Sequence, residues 1–178
     1  MTGSNIPSTP ADGKIKTVLV PAIANTGGPT VAEATATSAV DISCYLTPGG
    51  FAFKIDQATI TDERECDTIT RNAPGRKTPT LEITGIDNTN SNDGATPTPA
   101  DLPNDLAEAL TEGSKWYAIR RRGVPYGQAL AAGDVVTVIG FTVGVKSEVS
   151  AEANSVLRST WATFVDALEV DVAITASA

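Results

Sequence analysis

Residues 161–175 run Trp-Ala-Thr-Phe-Val-Asp-Ala-Leu-Glu-Val-Asp-Val-Ala-Ile-Thr. The even positions are Ala162, Phe164, Asp166, Leu168, Val170, Val172 and Ile174, apolar except for Asp166. The odd positions include Thr163, Glu169, Asp171 and Thr175. A period of two sends successive side chains to opposite faces. The stretch therefore predicts a long β-strand with its even face buried and its odd face wet. Just upstream, Val135, Ile139, Phe141, Val143 and Val145 share one face of another strand, with Thr137 as its polar member.

Working outward, Lys16 to Ala24, Val40 to Leu46, Pro79 to Ile86 and Lys115 to Arg122 are further strand candidates, and Phe51 to Arg71 holds one or two more. Thr47-Pro48-Gly49-Gly50, Pro74-Gly75 and Gly133-Asp134 read as turns. Composition agrees: 24 Thr, 15 Val and 12 Ile stand against 9 Leu, and stiff β-branched side chains suit a pleated sheet better than a helix. One helix stands out. Asp101 can cap it, Pro103 fits its first turn, and Leu102, Leu106, Ala109 and Leu110 form one apolar stripe that stops at Gly113. A single short helix cannot build the core and must cover a sheet. The expected fold is mostly β: two packed antiparallel sheets, as a sandwich or barrel, with one flanking α-helix at about 102–112. Residues 1–15 are expected to be a flexible N-terminal arm, or a segment ordered only by a partner, and 16–178 a single domain.

The formal charge is −8, which argues against affinity through a broad basic surface for nucleic-acid phosphate. The chain has no histidine, so Ser-His-Asp and Cys-His catalysis and His-ligated zinc are excluded within it. No membrane span, signal peptide, P-loop or nucleophile elbow is present in the sequence. Cys44 and Cys66 read as free thiols, a disulfide remaining open if they face each other on paired strands. The loop 87–100 is rich in Asp and Asn, but Asn92 and Thr98 stand where an EF-hand needs Gly and Glu. The acidic cluster Asp62, Glu63, Glu65 and Asp67 could supply a carboxylate pair for acid–base work, but suits a solvated hairpin better. Arg120, Arg121 and Arg122 are the basic run. In a strand they cannot form one patch, because neighbours point oppositely, so pairing with acids of a neighbouring molecule is the expectation. No enzymatic activity, cofactor or metal is expected.

Several runs together resemble one family. They are Pro29-Thr30-Val31-Ala32-Glu33, Val40 to Leu46, Ala58-Thr59-Ile60-Thr61-Asp62-Glu63-Arg64, Pro74-Gly75-Arg76-Lys77, Arg121 to Tyr126, Ala131 to Val136, Val143-Gly144-Val145 and Glu169 to Ala173. In this order they resemble the major tail protein, or tail tube protein, of siphophages, especially phages of actinobacteria. The resemblance implies two packed sheets with a flanking helix, and six-membered homo-oligomeric rings that stack into a tube conducting double-stranded DNA without gripping it. It also implies work beside tape-measure, tail-terminator and distal tail proteins, in a virion assembled in the host cytoplasm. On that basis Asp62, Glu63 and Glu65 belong to a loop contacting an adjacent subunit. Arg76, Lys77, Arg120, Arg121 and Arg122 are the basic side of subunit interfaces, and Glu169 and Asp171 are the lumen candidates. Rival readings are another ring-forming tail component, such as a tail-completion or tail-tip protein, a β-sandwich surface-binding module, and a carboxylate-pair hydrolase. The last two lack clustered exposed aromatics, a metal-linked loop or suitable carboxylate spacing.

Overall fold

The computed structural model describes residues 8–66, 68–87 and 104–176. Among these residues seven strands occur in the order β1 (Ile15–Val20), β2 (Val40–Asp41), β3 (Leu46–Asp62), β4 (Arg71–Ile86), β5 (Lys115–Arg122), β6 (Val135–Glu148) and β7 (Arg158–Ala173). They form one antiparallel sheet, ordered β2-β1-β5-β6-β7-β4-β3. The expected pair of separate sheets is thus corrected to one continuous sheet.

The sheet cannot be flat. β2 and β3 are its two edges, six strand spacings or about 29 Å apart in a flat sheet. Only residues 42–45 join them, and the chain from Asp41 to Leu46 reaches at most about 17 Å. Ile42 N–H donates to Thr17 O on β1 at 3.1 Å, while Tyr45 O accepts from Ile86 N–H on β4 at 2.8 Å. The link therefore stitches the neighbours of both edges, and the sheet curls until its two halves face each other. Within the link, Ser43 Oγ accepts from Thr17 N–H at 2.8 Å and donates to Asp41 Oδ1 at 2.6 Å. Among the described residues no ladder pairs β2 with β3, so the curl stops short of a closed barrel.

The facing halves bury Leu19, Ile42, Leu81, Ile83, Ala118, Ile139, Phe141, Val143 and Trp161. Helix α2 (Asp105–Ala109) lies over the seam and adds Leu106, Ala109 and Leu110 to this core. Its N-cap is Asn104, whose side chain accepts from Ala107 N–H and donates to Ile86 O. The helix is shorter than the expected 102–112: it ends at Ala109, and Asp101 to Pro103 lie outside the described residues. Trp116 Nε1 caps its far end through Ala109 O at 2.8 Å. A second helix, α1 (Val31–Ala34), was not expected. A capping box starts it, Glu33 N–H donating to Thr30 Oγ1 and Thr30 N–H to Glu33 Oε2. It helps cover a second core on the outer side of the sheet, built from Val18, Val20, Ile119, Val136, Val138 and Ile174. The middle of β5 and β6 is therefore buried on both faces.

Turn-like residues act here as bulges. Pro48-Gly49-Gly50 lies within β3 at a register shift between Leu46 and Phe51, with Gly49 at φ +76. Pro74-Gly75 lies within β4 opposite a second shift between Gln57 and Thr59. Two more shifts break the parity of β7: one between Ala167 and Val165, the other between Val172 and Glu169, where Asp171 has φ +57. Each extra residue swaps the faces. Trp161, on the expected wet face, is buried, whereas Phe164 and Val170, on the expected buried face, are exposed. β6 departs similarly, with Val135 and Val145 exposed and Val136 and Val138 buried.

The helix meets the seam at Gly85. A Cβ there would collide with Leu106 Cδ2 and come within 3.0 Å of Tyr45 O. Gly85→Ala is expected to cost about 1–3 kcal/mol through overpacking, lowering Tm by roughly 2–4 °C per kcal/mol in a domain of this size. Thermal unfolding checks this, and an unchanged Tm would show that α2 does not press on β4.

Candidate functional site

Most of β4 runs past the strand it meets in the body. Only Glu82–Ile86 pair with β7; the outer part, Arg71–Leu81, pairs with β3 alone. The two strands therefore leave the body as an arm. From Lys54 to Asp62 every residue is exposed, as are Arg71 to Pro74. Ile55, Ile60 and Ile69 stand in solvent, Ile69 at 68% exposure. A two-stranded hairpin is marginal by itself in water, and this one also presents unpaired strand edges. The outer edge of β3 has no strand partner along its length among the described residues.

The arm gathers the charges expected of a contact loop. Asp62 ends β3, Glu63 and Glu65 follow at the tip, and all three are exposed. Asp62 is held locally by Arg64, whose Nε and Nη2 donate to its carboxylate at 3.2 and 2.9 Å. Glu63 and Glu65 form no ion pair among the described residues. Arg76 and Lys77 lie halfway along the arm beside the bulge at Pro74-Gly75, where Gln57 Nε2 donates to Gly75 O. Both are exposed. Asp67 lies outside the described residues, as does most of the Asp- and Asn-rich loop.

The three arginines of β5 divide as strand alternation requires. Arg121 faces the outer core, and its side chain is 1% exposed. Its guanidinium donates to Asp134 Oδ2 at 2.7 Å, Gln128 O at 2.6 Å, Ala129 O at 2.8 Å and Pro125 O at 3.3 Å. It folds the 123–134 loop around itself, so it leaves the expected inter-subunit set: it is consumed inside its own chain. Burial would raise the Asp134 pKa, but the hydrogen bond from Arg121, the Ala131 N–H and the Arg121 charge outweigh it and hold the carboxyl below its ordinary value. Arg120 and Arg122 turn to the other face and meet Lys14 and Asp171 around a pocket of about 350 Å3. Arg120 donates to Thr17 Oγ1 at 3.1 Å and lies 4.4 Å from the Phe51 ring, across the interior of the curl.

The two lumen candidates do not share a surface. Glu169 is exposed and pairs with Val138, whose face carries the outer core. Asp171 sits at the bulge and faces the basic pocket. Cys44 and Cys66 are both free and exposed. Cys44 lies at the root of the arm and Cys66 near its tip, so nearly the full length of β3 separates them, and they do not pair on adjacent strands. Among the described residues no three metal-ligating side chains gather.

The arm's charges and the split of the arginine run are where the sequence places them. Which arginine is interior is not visible there, because Asp134 and the loop carbonyls that pair with it come from residues 4 to 13 positions on. Helix α1 was missed although Thr30 and Glu33 have capping-box spacing.

Comparison with known proteins adds three findings. A family model described as phage tail tube protein matches residues 4–178. A chain in a cryo-EM structure of the anti-feeding prophage baseplate, 6-fold symmetrised, is similar at 10% identity, with a TM-score of 0.46 over 92% of this chain and 96% of that one. No curated protein sequence matches.

The Arg121–Asp134 pair generates a stability prediction. Arg121→Leu leaves the half-buried Asp134 carboxylate and several loop carbonyls without this partner, and is expected to cost about 1–3 kcal/mol. The folded pKa of Asp134 lies below its unfolded value. Its stabilisation is thus complete above the ordinary carboxylate range and fades as pH falls through the lowered value. Urea unfolding should show Asp134→Asn well below wild type at pH 7, with the gap closing below about pH 4. A gap independent of pH would contradict the ion-pair account.

Proposed function

The chain belongs to the phage tail tube protein family, and from that premise we propose that six copies form a ring and that rings stack into the tube through which double-stranded DNA leaves the virion. As a member of that family it is a structural component of the phage tail and not an enzyme. The finer reading is a siphophage tube of the actinobacteriophage type, working beside tape-measure, tail-terminator and distal tail proteins.

The observation that carries this reading is the unfinished sheet. The chain spends 17 residues on β3 and 16 on β4, yet its own body uses only the inner part of the pair. The remainder offers free strand edges, bare isoleucines and charge of both signs, the features a neighbouring copy would cover. Joining sheets between copies removes those edges, and a ring repeats the contact until none is left open. Net charge serves the same function. Each copy brings −8, and an acidic lining repels phosphate so that DNA can slide. Glu169, exposed on β7, is the proposed lining residue, while Asp171 faces the basic pocket.

Negative-stain microscopy of the purified protein tests the reading, with rings or tubes as the expected result. Replacing residues 56–77 by a short Asn-Gly turn should leave a folded monomer, because the removed strands are exposed. It should also abolish tubes. A full-length chain that stays monomeric at high concentration, or a shortened chain that still polymerises, would overturn the reading.

A further inference from the structure

The pocket beside β5 is cationic in an acidic protein. Lys14, Arg120 and Arg122 line it, and Asp171 is its one acid among the described residues. Arg120 is half-buried, and its two partners, Thr17 Oγ1 and the Phe51 ring, carry no charge. Burial and the charge of Arg122 pull its pKa down to about 10, so it remains a cation at neutral pH. Among the described residues no carboxylate lies within ion-pair distance of Lys14, Arg120 or Arg122. Three cations against one acid leave a positive excess in a half-enclosed site, where a carboxylate gains bidentate, charge-assisted hydrogen bonds.

The arm tip has the complementary deficit. Asp62 is neutralised by Arg64, leaving Glu63 and Glu65 as two free carboxylates among the described residues. The tip cannot use the pocket of its own chain while the arm stands away from the body, exposed on all sides. From Lys54 to Asp62 the arm extends by about 26 Å, enough to cross onto an adjacent molecule. We propose that the pocket formed by Lys14, Arg120 and Arg122 is the socket for the Glu63–Glu65 tip of a second copy. This deepens the tube reading and rests on it: the arm becomes a plug with a defined receptor.

Cys66 lies beside the tip and Val135, 55% exposed, lines the pocket. The full-length Cys44→Ser/Val135→Cys variant should assemble. Mild thiol oxidation should then join Cys66 of one copy to the thiol introduced at position 135 of the next, giving a ladder of covalent multimers on a non-reducing gel. Assembled tubes without that ladder would overturn the socket while leaving the tube reading intact. Failure of the wild-type chain to form tubes would overturn both. Charge reversal supplies an independent check. Glu63→Lys/Glu65→Lys should raise the concentration needed for polymerisation at least about tenfold, and adding Lys14→Glu/Arg122→Glu in the same chain should restore it. Reversal of the pocket blocking assembly while reversal of the tip does nothing would assign the pocket to another anion, nucleic-acid phosphate included, and contradict the proposal.

Discussion

The fold depends on a short tether. Residues 42–45 must bridge the two edges of a seven-stranded sheet, and the hydrogen bonds of Ile42 to Thr17 and of Tyr45 to Ile86 pin that bridge at both ends. A flat sheet is thereby forbidden. Once the sheet curls, its halves face each other, the apolar residues between them become a core, and helix α2 covers the gap the ladder leaves. Gly85 is bare because Leu106 occupies the space a side chain would need.

The same tether fixes what must project. It anchors β3 and β4 at Leu46 and Ile86, the root of the hairpin, and β7 pairs only with the inner residues of β4. Everything beyond Lys54 is outside the body. The molecule therefore divides into a body, where Arg121 pairs with Asp134 and the carbonyls of its own loop, and an arm with free edges, bare isoleucines and exposed charge. The basic pocket lies beside β5 in the body. Its arginines differ from Arg121 by one step along β5, and that step decides whether a cation pairs inside its own loop or faces the pocket.

The β class was legible in the sequence because β-branched residues dominate, and α2 because its leucines keep helical spacing. The arm's acidic tip was legible as a charge cluster between strand-like runs. What the sequence hid was the sheet count and the parity of β7. Pro48-Gly49-Gly50 and Pro74-Gly75 have the chemistry of turns, and only pairing with a partner strand turns them into bulges. At Asp166 and Asp171 no glycine or proline marks the interruption, so the alternation from Trp161 to Thr175 looked continuous while the faces exchanged twice. Burial of Arg121 was equally hidden, since nothing local separates it from Arg120 and Arg122.

On the proposed tube reading, the outer edge of β3 and the arm are incomplete in one copy and are completed by neighbours. Amide hydrogen exchange compared between monomer and assembled tube tests it most directly. The account predicts rapid exchange across residues 52–79 in the monomer and strong protection of the same residues in the tube, with the amides of β5 and β6 slow in both. Equal protection of residues 52–79 in the two states would contradict it.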